Sequence, residues 1–437
     1  MKKGIVVLLI AIALVVLVSP GIIGRIAEES VDENLRWAAD EHEEVVVTSE
    51  RFDRGWFSSE GRHRIEIHDP DAQAAIREII GGEPTDGFPS LIIDTRLDHG
   101  LIPVTSISRD GGSLAPGLGN GVSTMFIEFP DGETFPVPGT IYSDIGLNGV
   151  VAANYVVEPG SHEASGTRAS WGAADVELSA DPNAQSFVVS GVMDSLTVDA
   201  EGSTLHVGKT EFSANQRPSQ FGVAVGDFDM TMATVGVEEK GAESVAFGPL
   251  AMSLNSGVDG DRINGDANVA IAGVAVPGYG DMGLEIALHF TDLDGAAFGR
   301  LVRALEAVDN STPAQQLFAL LEDDLQQLVA AGFELKFDQF DFDLPQGPVT
   351  SKMRFSIAAS DAAEFNWSSV LLDLNAEADL VVASEFVDFA MAVNPQAGAV
   401  VGMGFLRKNG DVYELRAEYA KGLLTVNGAP MPIPLGQ

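Results

Sequence analysis

Most of this chain alternates. In Leu284-Glu285-Ile286-Ala287-Leu288 and in Val412-Tyr413-Glu414-Leu415-Arg416-Ala417-Glu418-Tyr419, apolar and polar residues largely trade places from one position to the next. A strand turns successive side chains to opposite faces, so a period of two buries one face and wets the other. Such runs recur from residue 45 onward, among them Tyr155-Val156-Val157 and Ser186-Phe187-Val188-Val189, and Gly, Asn and Asp punctuate them. The expected fold class is mainly β with a minority of helices (α+β), in an antiparallel, curved or multi-sheet architecture. No repeat of the length that marks propellers or solenoids is visible.

Local signals refine this picture. In FELKFDQFDFDLPQG, Phe333, Leu335 and Phe337 share one parity while Phe340, Phe342 and Leu344 share the other. An extra residue near Asp338-Gln339 would return all six to one face, so a β-bulge is expected there. Asn409-Gly410 reads as a hairpin turn. Asp69, Pro70 and Gly81-Gly82 bracket a short helix near Pro70 to Ile80. A helical hairpin is expected over residues 294–331: Phe298, Leu301, Val302, Leu305 and Val308 form one stripe and Leu317, Leu321, Leu325 and Leu328 another, with Gly332 as the stop.

The first residues, MKKGIVVLLIAIALVVLVSPGIIGR, hold two lysines and then no charge from Gly4 to Gly24. That run is long enough to span a bilayer as a helix, and the leading lysines favour a cytoplasmic N-terminus. A cleaved signal peptide is the rival reading, but Ser19-Pro20-Gly21-Ile22-Ile23 lacks a clean small-x-small site. The expected organisation is a cytoplasmic tip (1–3), a transmembrane anchor (4–24), an amphipathic connecting helix (25–44) and a large β-rich periplasmic region (45–293). The helical hairpin (294–331) and a C-terminal β-rich region (332–437) follow.

Across 437 residues, 64 acidic side chains face 25 basic ones, a net charge of −39, and only eight of the basic residues are lysines. Sustained negative potential repels phosphate backbones and excludes nucleic acid as a partner. It also suits a saline habitat, where screening relieves self-repulsion. With no cysteine there is no disulfide, thiolate metal site or cysteine nucleophile.

Motifs that carry chemistry are broken. Gly208-Lys209-Thr210 lacks the glycine five positions earlier that a phosphate loop requires. The segment from Asp259 to Asp266 has the outline of a calcium loop, but Ile263 stands at a ligand position and Ala270 where the closing Glu belongs, so a polar hairpin turn is the better reading. The seven histidines form no HExxH motif, and His63 and His68 fall on opposite parities. The glycine-rich run 111–121 contains Ser113 without a nucleophile elbow. No catalytic, cofactor or metal residue is nominated; the expectation is a non-enzyme with no cofactor.

One segment remains distinctive. RFDRGWFSSEG, residues 51–61, joins two strand-like runs, with Asp53-Arg54-Gly55 supplying turn chemistry and Trp56 and Phe57 expected on opposite faces. Together with the N-terminal run, the positions Gly55, Trp56, Phe57, Ser58 and Ser59, then Asp98, His99 and Gly100, and finally Gly422, Leu424, Asn427 and Gly428 follow an order that spans nearly the whole chain. In this the sequence resembles the YdgA-like family of bacterial envelope proteins of unknown function. The family pattern places Pro after His-Gly, whereas Leu101-Ile102 precede Pro103 here.

The resemblance implies an inner-membrane protein facing the periplasm and able to self-associate, with these positions in structural roles. The leading functional expectation is a non-catalytic scaffold or binding module. The alternatives are a lipid or hydrophobic-ligand handler at the inner membrane, with lipid or an envelope protein as partner, and a hydrolase of unfamiliar type. A continuous apolar concavity would favour the lipid reading.

Overall fold

A computed structural model describes residues 45–54, 58–68, 73, 87–99, 117–130, 132–146, 148–164, 167–181, 183–200, 202–239, 245–276, 280–306, 314–360, 365–394 and 396–431. The expected anchor (4–24) and connecting helix (25–44) lie outside these residues, as does the helix near Pro70 to Ile80 except for Gln73. No helix among the described residues is long and apolar enough to cross a membrane. The described chain is mainly antiparallel β with a minority of helix, in two compact units: Met1–Asn215 with Met232–Glu243, and Gln216–Thr231 with Ser244–Gln437.

The first unit opens with a meander. Strands β1 (Val45–Arg54), β2 (Ser58–Ile67), β3 (Ser90–His99), β4 (Gly117–Glu128), β5 (Thr134–Gly146) and β6 (Val151–Val157) each pair antiparallel with the next. Next come β7 (Gly160–Ala164), β8 (Thr167–Trp171), β9 (Ala174–Asp181), β10 (Ser186–Met193), β11 (Leu196–Ala200), β12 (Ser203–Val207) and β13 (Thr210–Pro218). The meander extends from β6 through β9 to β10, and β7, β8, β11 and β12 form a companion ladder.

The two ladders arise because long strands bend at two-residue breaks. At one break the Gly172 amide donates to Ser195 O at 2.9 Å and the Asp194 amide to Ala173 O at 2.9 Å. A Cβ on Gly172 would stand 2.7 Å from Asp194 Cβ, so the close approach at the bend requires glycine. Beyond β14 (Ala224–Met232), whose residues lie mostly in the second unit, β15 (Val235–Glu239) returns to pair with β12. The packed core of the first unit runs through Ile65, Leu91, Ile92, Met125, Ile127 and Val151, none more than 2 % exposed.

The second unit continues with β16 (Val245–Phe247), β17 (Leu250–Asp259), β18 (Arg262–Val276), β19 (Gly280–Asp294), α1 (Gly295–Glu306), α2 (Ala314–Ala331), β20 (Phe333–Asp343) and β21 (Val349–Ile357). It ends with α3 (Trp367–Asp373), β22 (Leu374–Ala383), α4 (Ser384–Val393), α5 (Ala397–Gly402), β23 (Arg407–Asn409), β24 (Val412–Ala420), β25 (Leu423–Val426) and β26 (Ala429–Met431). The sheet order is β17-β18-β19-β20-β21-β22-β24-β25-β26, antiparallel throughout.

The bulge anticipated in β20 is present. Ala287 pairs with Gln339 and Leu288 with Phe337, leaving Asp338 as the extra residue. The Phe337 and Phe340 rings then meet edge to face at 5.9 Å, and Phe340 and Phe342 at 5.2 Å. Ser351 stitches the irregular stretch: its amide donates to Asp341 Oδ1 at 2.8 Å and its hydroxyl to Phe340 O at 2.7 Å.

The expected helical hairpin is α1 and α2. Asp294 caps α1 by accepting from the Ala297 amide at 2.8 Å, Arg300 Nε donates to Asp324 at 2.5 Å, and Gly332 ends α2 at φ 74°. Phe298, Val302 and Leu328 pack as the stripes predict, but Leu305 is 50 % exposed.

Candidate functional site

The β1–β2 hairpin places Ser58 and Ser59 at the start of β2, opposite the end of β3, in the register Ser58↔Asp98 and Ser59↔Leu97. Two motif segments some forty residues apart in sequence thus meet on neighbouring strands. Gly55, Trp56, Phe57 and Gly100 lie outside the described residues, and His99 is placed by its backbone opposite Gly119. Ser59 is 3 % exposed and Asp98 fully buried, with Arg96 Nε 3.6 Å from its Oδ1.

The row continues across the sheet as Asp98↔Asn120↔Asp144. Asn120 is 6 % exposed and donates through Nδ2 to Asp144 Oδ1. Sequence reading missed Asn120 and Asp144, because their partnership with Asp98 arises only from strand register. The Asn120–Asp144 bond ties β4 to β5. His63 lies on the opposite parity of β2, turned into the core, where burial lowers its pKa and favours the neutral ring.

Beside this row runs an ion-pair lattice on β1–β4. Arg62 reaches Glu50 at 3.3 Å and Asp94 at 3.5 Å, and Arg64 engages Glu50 at 2.5 Å and Glu128. Burial tends to lower the Arg64 pKa, but hydrogen bonds and charge from Glu50 and Glu128 outweigh it, so the net shift is upward. The guanidinium stays charged and cross-links β1, β2 and β4.

The C-terminal motif lies in the second unit and forms turns. Lys421 (φ 52°) and Gly422 (φ 78°) join β24 to β25, and Asn427 (φ 50°) and Gly428 (φ 78°) join β25 to β26. Positive φ at both central residues is the two-residue hairpin geometry that Asn-Gly favours. Asn427 does more than turn. Its Oδ1 accepts from the Arg416 amide at 2.9 Å, while Nδ2 donates to Gly404 O at 3.1 Å and Phe405 O at 3.0 Å. It therefore clasps β24 and the segment after α5 to the terminal hairpin. Leu424 is half-buried, paired with Tyr419.

The broken motifs settle into ordinary roles. Gly208-Lys209 is a strand break, with the Gly208 amide donating to Thr234 O at 2.7 Å. The segment beginning at Asp259 is the β17–β18 hairpin, with Asp259 opposite Arg262, Gly260 at φ 62° and Asp266 bonded to His289. Gly117 to Gly121 begin β4, and the rest of that glycine-rich run lies outside the described residues. The turn expected at Asn409-Gly410 falls on Gly410-Asp411, since Asn409 pairs with Val412.

The largest chemical asymmetry lies in the second sheet. Register aligns Leu284↔Phe342↔Val349↔Val382↔Tyr413 and Leu288↔Phe337↔Met353↔Ala378↔Ala417 on one face. The opposite face carries Asp266↔His289↔Lys336↔Arg354↔Glu377↔Glu418. At one end of the apolar face, α1 and α2 cover Ile263, Leu293, Phe290 and Phe333. At the other, α4 and the segment through α5 cover Val382, Tyr413 and Val349. Between these ends, Leu284, Ile286, Leu288, Phe337, Phe340 and Phe342 are only half-buried, forming a hydrocarbon floor between two helical walls.

Fold and site together define a β-rich α+β protein of two units, whose described motif positions lie in paired strands and two-residue turns and whose second sheet keeps a partly open apolar face. The chain belongs to the family described as "Bacterial protein of unknown function (DUF945)", whose model matches residues 1–434. It is similar to protein YdgA of Escherichia coli (strain K12), being 23 % identical over an aligned length of 309 residues that covers 66 % of this chain and 58 % of that one. The matched stretch thus spans less than two thirds of that relative's length. No solved structure matches.

Proposed function

We propose that this protein is a non-catalytic envelope protein, a scaffold or binding module held at the inner membrane by residues 4–24 with its bulk in the periplasm. The observation that carries the binding reading is the partly open apolar face of the second sheet, since large apolar surfaces left by a fold are contact surfaces. The placing of Ser59 and Asp98 within the paired strands β2 and β3, and the clasp made by Asn427, support structural roles for these positions. The uncharged run from Gly4 to Gly24 behind two lysines supports the address.

The test is fractionation of the full chain carrying a C-terminal epitope. Membrane pelleting that resists alkaline carbonate, with digestion of the epitope by protease only after the outer membrane is opened, is the expected result. Release by osmotic shock would replace the anchor by a cleaved signal, and protection from protease in spheroplasts would refute the periplasmic address.

A further inference from the structure

We propose that the half-buried apolar floor of the second sheet binds an acyl chain of a membrane phospholipid. This deepens the binding-module reading and rests on it.

The chemistry of the floor selects hydrocarbon. Leu284, Ile286, Leu288, Phe337, Phe340 and Phe342 offer no side-chain donor or acceptor, and the backbone of β19 and β20 is engaged in strand pairing. A peptide or sugar laid there would lose its hydrogen bonds to water without replacement, whereas an acyl chain has none to lose. The wall helices argue against a second copy of the sheet. Two sheets pack face to face at about 10 Å, and helices on both ends of the face obstruct that approach. A slender chain lying across the strands fits between them. Register extends this face beyond the floor strands β19 and β20 to Met252 on β17 and Ala378 on β22, about 24 Å across six strands at ~4.8 Å per strand. One leaflet of a bilayer is about 15 Å of hydrocarbon deep, so the floor has room for an acyl chain.

Charge selects the source of the chain. The strand ends beside Leu284 and Phe342 carry exposed Asp281 and Asp343, in a protein of net charge −39. The carboxylate of a free fatty acid would meet like charge there, while the ammonium of a zwitterionic phospholipid would meet opposite charge. At the helical end, Phe318, Trp367, Leu371 and Leu372 are 38 to 61 % exposed, with Phe318 and Trp367 in ring contact at 6.0 Å. Exposed aromatic and aliphatic side chains of this kind enter the membrane interface, where the floor could load.

The experiment uses cells expressing the full chain and fed a photoreactive diazirine fatty acid that is esterified into phospholipid. After irradiation, adducts are mapped by peptide mass spectrometry, with label on residues 4–24 as the internal reference. Phospholipid-mass adducts on peptides containing 284–294 or 333–343 are expected. Both Ile286→Glu, which charges the floor, and Ile286→Trp, which fills it while keeping it apolar, should lower them at least about tenfold relative to the reference. Lys352→Glu, on the charged face, should leave them intact.

Label confined to residues 4–24, or floor label that persists in the folded Ile286→Trp chain, would overturn the proposal and leave the envelope reading standing. Adducts with the mass of free fatty acid would overturn the choice of phospholipid. Absence of label from 4–24 in a chain that does not pellet with membranes would instead refute the membrane anchor.

Discussion

The two units run the same alternating pattern into sheets and treat its apolar face differently. In the first, Leu91, Ile92 and Ile93 are consecutive, so they must face both sides of β3, yet none is more than 9 % exposed. That strand is covered above and below. In the second, Ile263 and Leu293 at one helical end and Val382 and Tyr413 at the other are buried, as are Val225, Ser351 and Val426, while the apolar side chains of β19 and β20 between the ends stay half-buried. Period-two patterning therefore decides which face seeks cover, and the layers packed on it decide whether cover arrives.

The largest expected effect measures this contrast directly. Ile92→Ala in the first unit removes methylenes from a site with no exposure and should destabilise by about 2–5 kcal/mol. Ile286→Ala on the open floor removes the same atoms where solvent can fill the space, and should cost about 1 kcal/mol or less. Denaturant unfolding of the full chain gives both values; equal losses would mean that the floor is as tightly packed as the core. Next in size is the clasp of the second unit. Asn427→Ala loses three side-chain hydrogen bonds and a residue tolerant of positive φ, for about 2–3 kcal/mol. Asn427→Gly keeps the turn and loses only the bonds, so its melting temperature should fall between those of wild type and Asn427→Ala.

What could be read beforehand follows the range of each interaction. The bulge at Asp338, the α1–α2 hairpin and its stop at Gly332 are written in side chains within a few residues of one another. The hairpin around RFDRGWFSSEG is equally local, and β1 and β2 pair as expected. Ser58 opposite Asp98, the row through Asn120 to Asp144 and the reach of Asn427 to Gly404 depend on register or on long returns of the chain, which periodicity does not encode. Leu305 shows the same limit: it continues the α1 stripe, yet it is 50 % exposed. The apolar floor was visible only as alternation, because an open face and a covered one have identical sequence patterns.

Titration sharpens the description of the first core in smaller steps. Tyr155 is half-buried there, donates to Pro138 O and has its pKa pushed up to about 12 by loss of solvent. The unfolded chain loses this proton near pH 10, so between pH 10 and about 12 the folded state binds more protons and stability falls as pH rises. The loss approaches about 2 kcal/mol at the upper end. Tyr155→Phe should flatten that part of the pH profile, although losing the hydrogen bond lowers stability at neutral pH.

The smallest effect concerns His63, and its sign is opposite. Burial is the leading cause that lowers its pKa, with Asp94 acting weakly in the other direction. Below the unfolded value near 6.5 the unfolded chain takes up a proton that the folded core resists, so the folded state is at a disadvantage that grows as pH falls toward the lowered pKa. Stability is complete above that window and declines through it. His63→Gln removes the titration and leaves the surrounding carboxylates in place. The stability difference between wild type and variant, followed by denaturant unfolding from pH 7.5 to 5, should shift steadily against wild type as acid is added. Parallel profiles would mean that water reaches His63, and that the first sheet is less closed at β2 than its buried neighbours Ile65 and Ile93 imply.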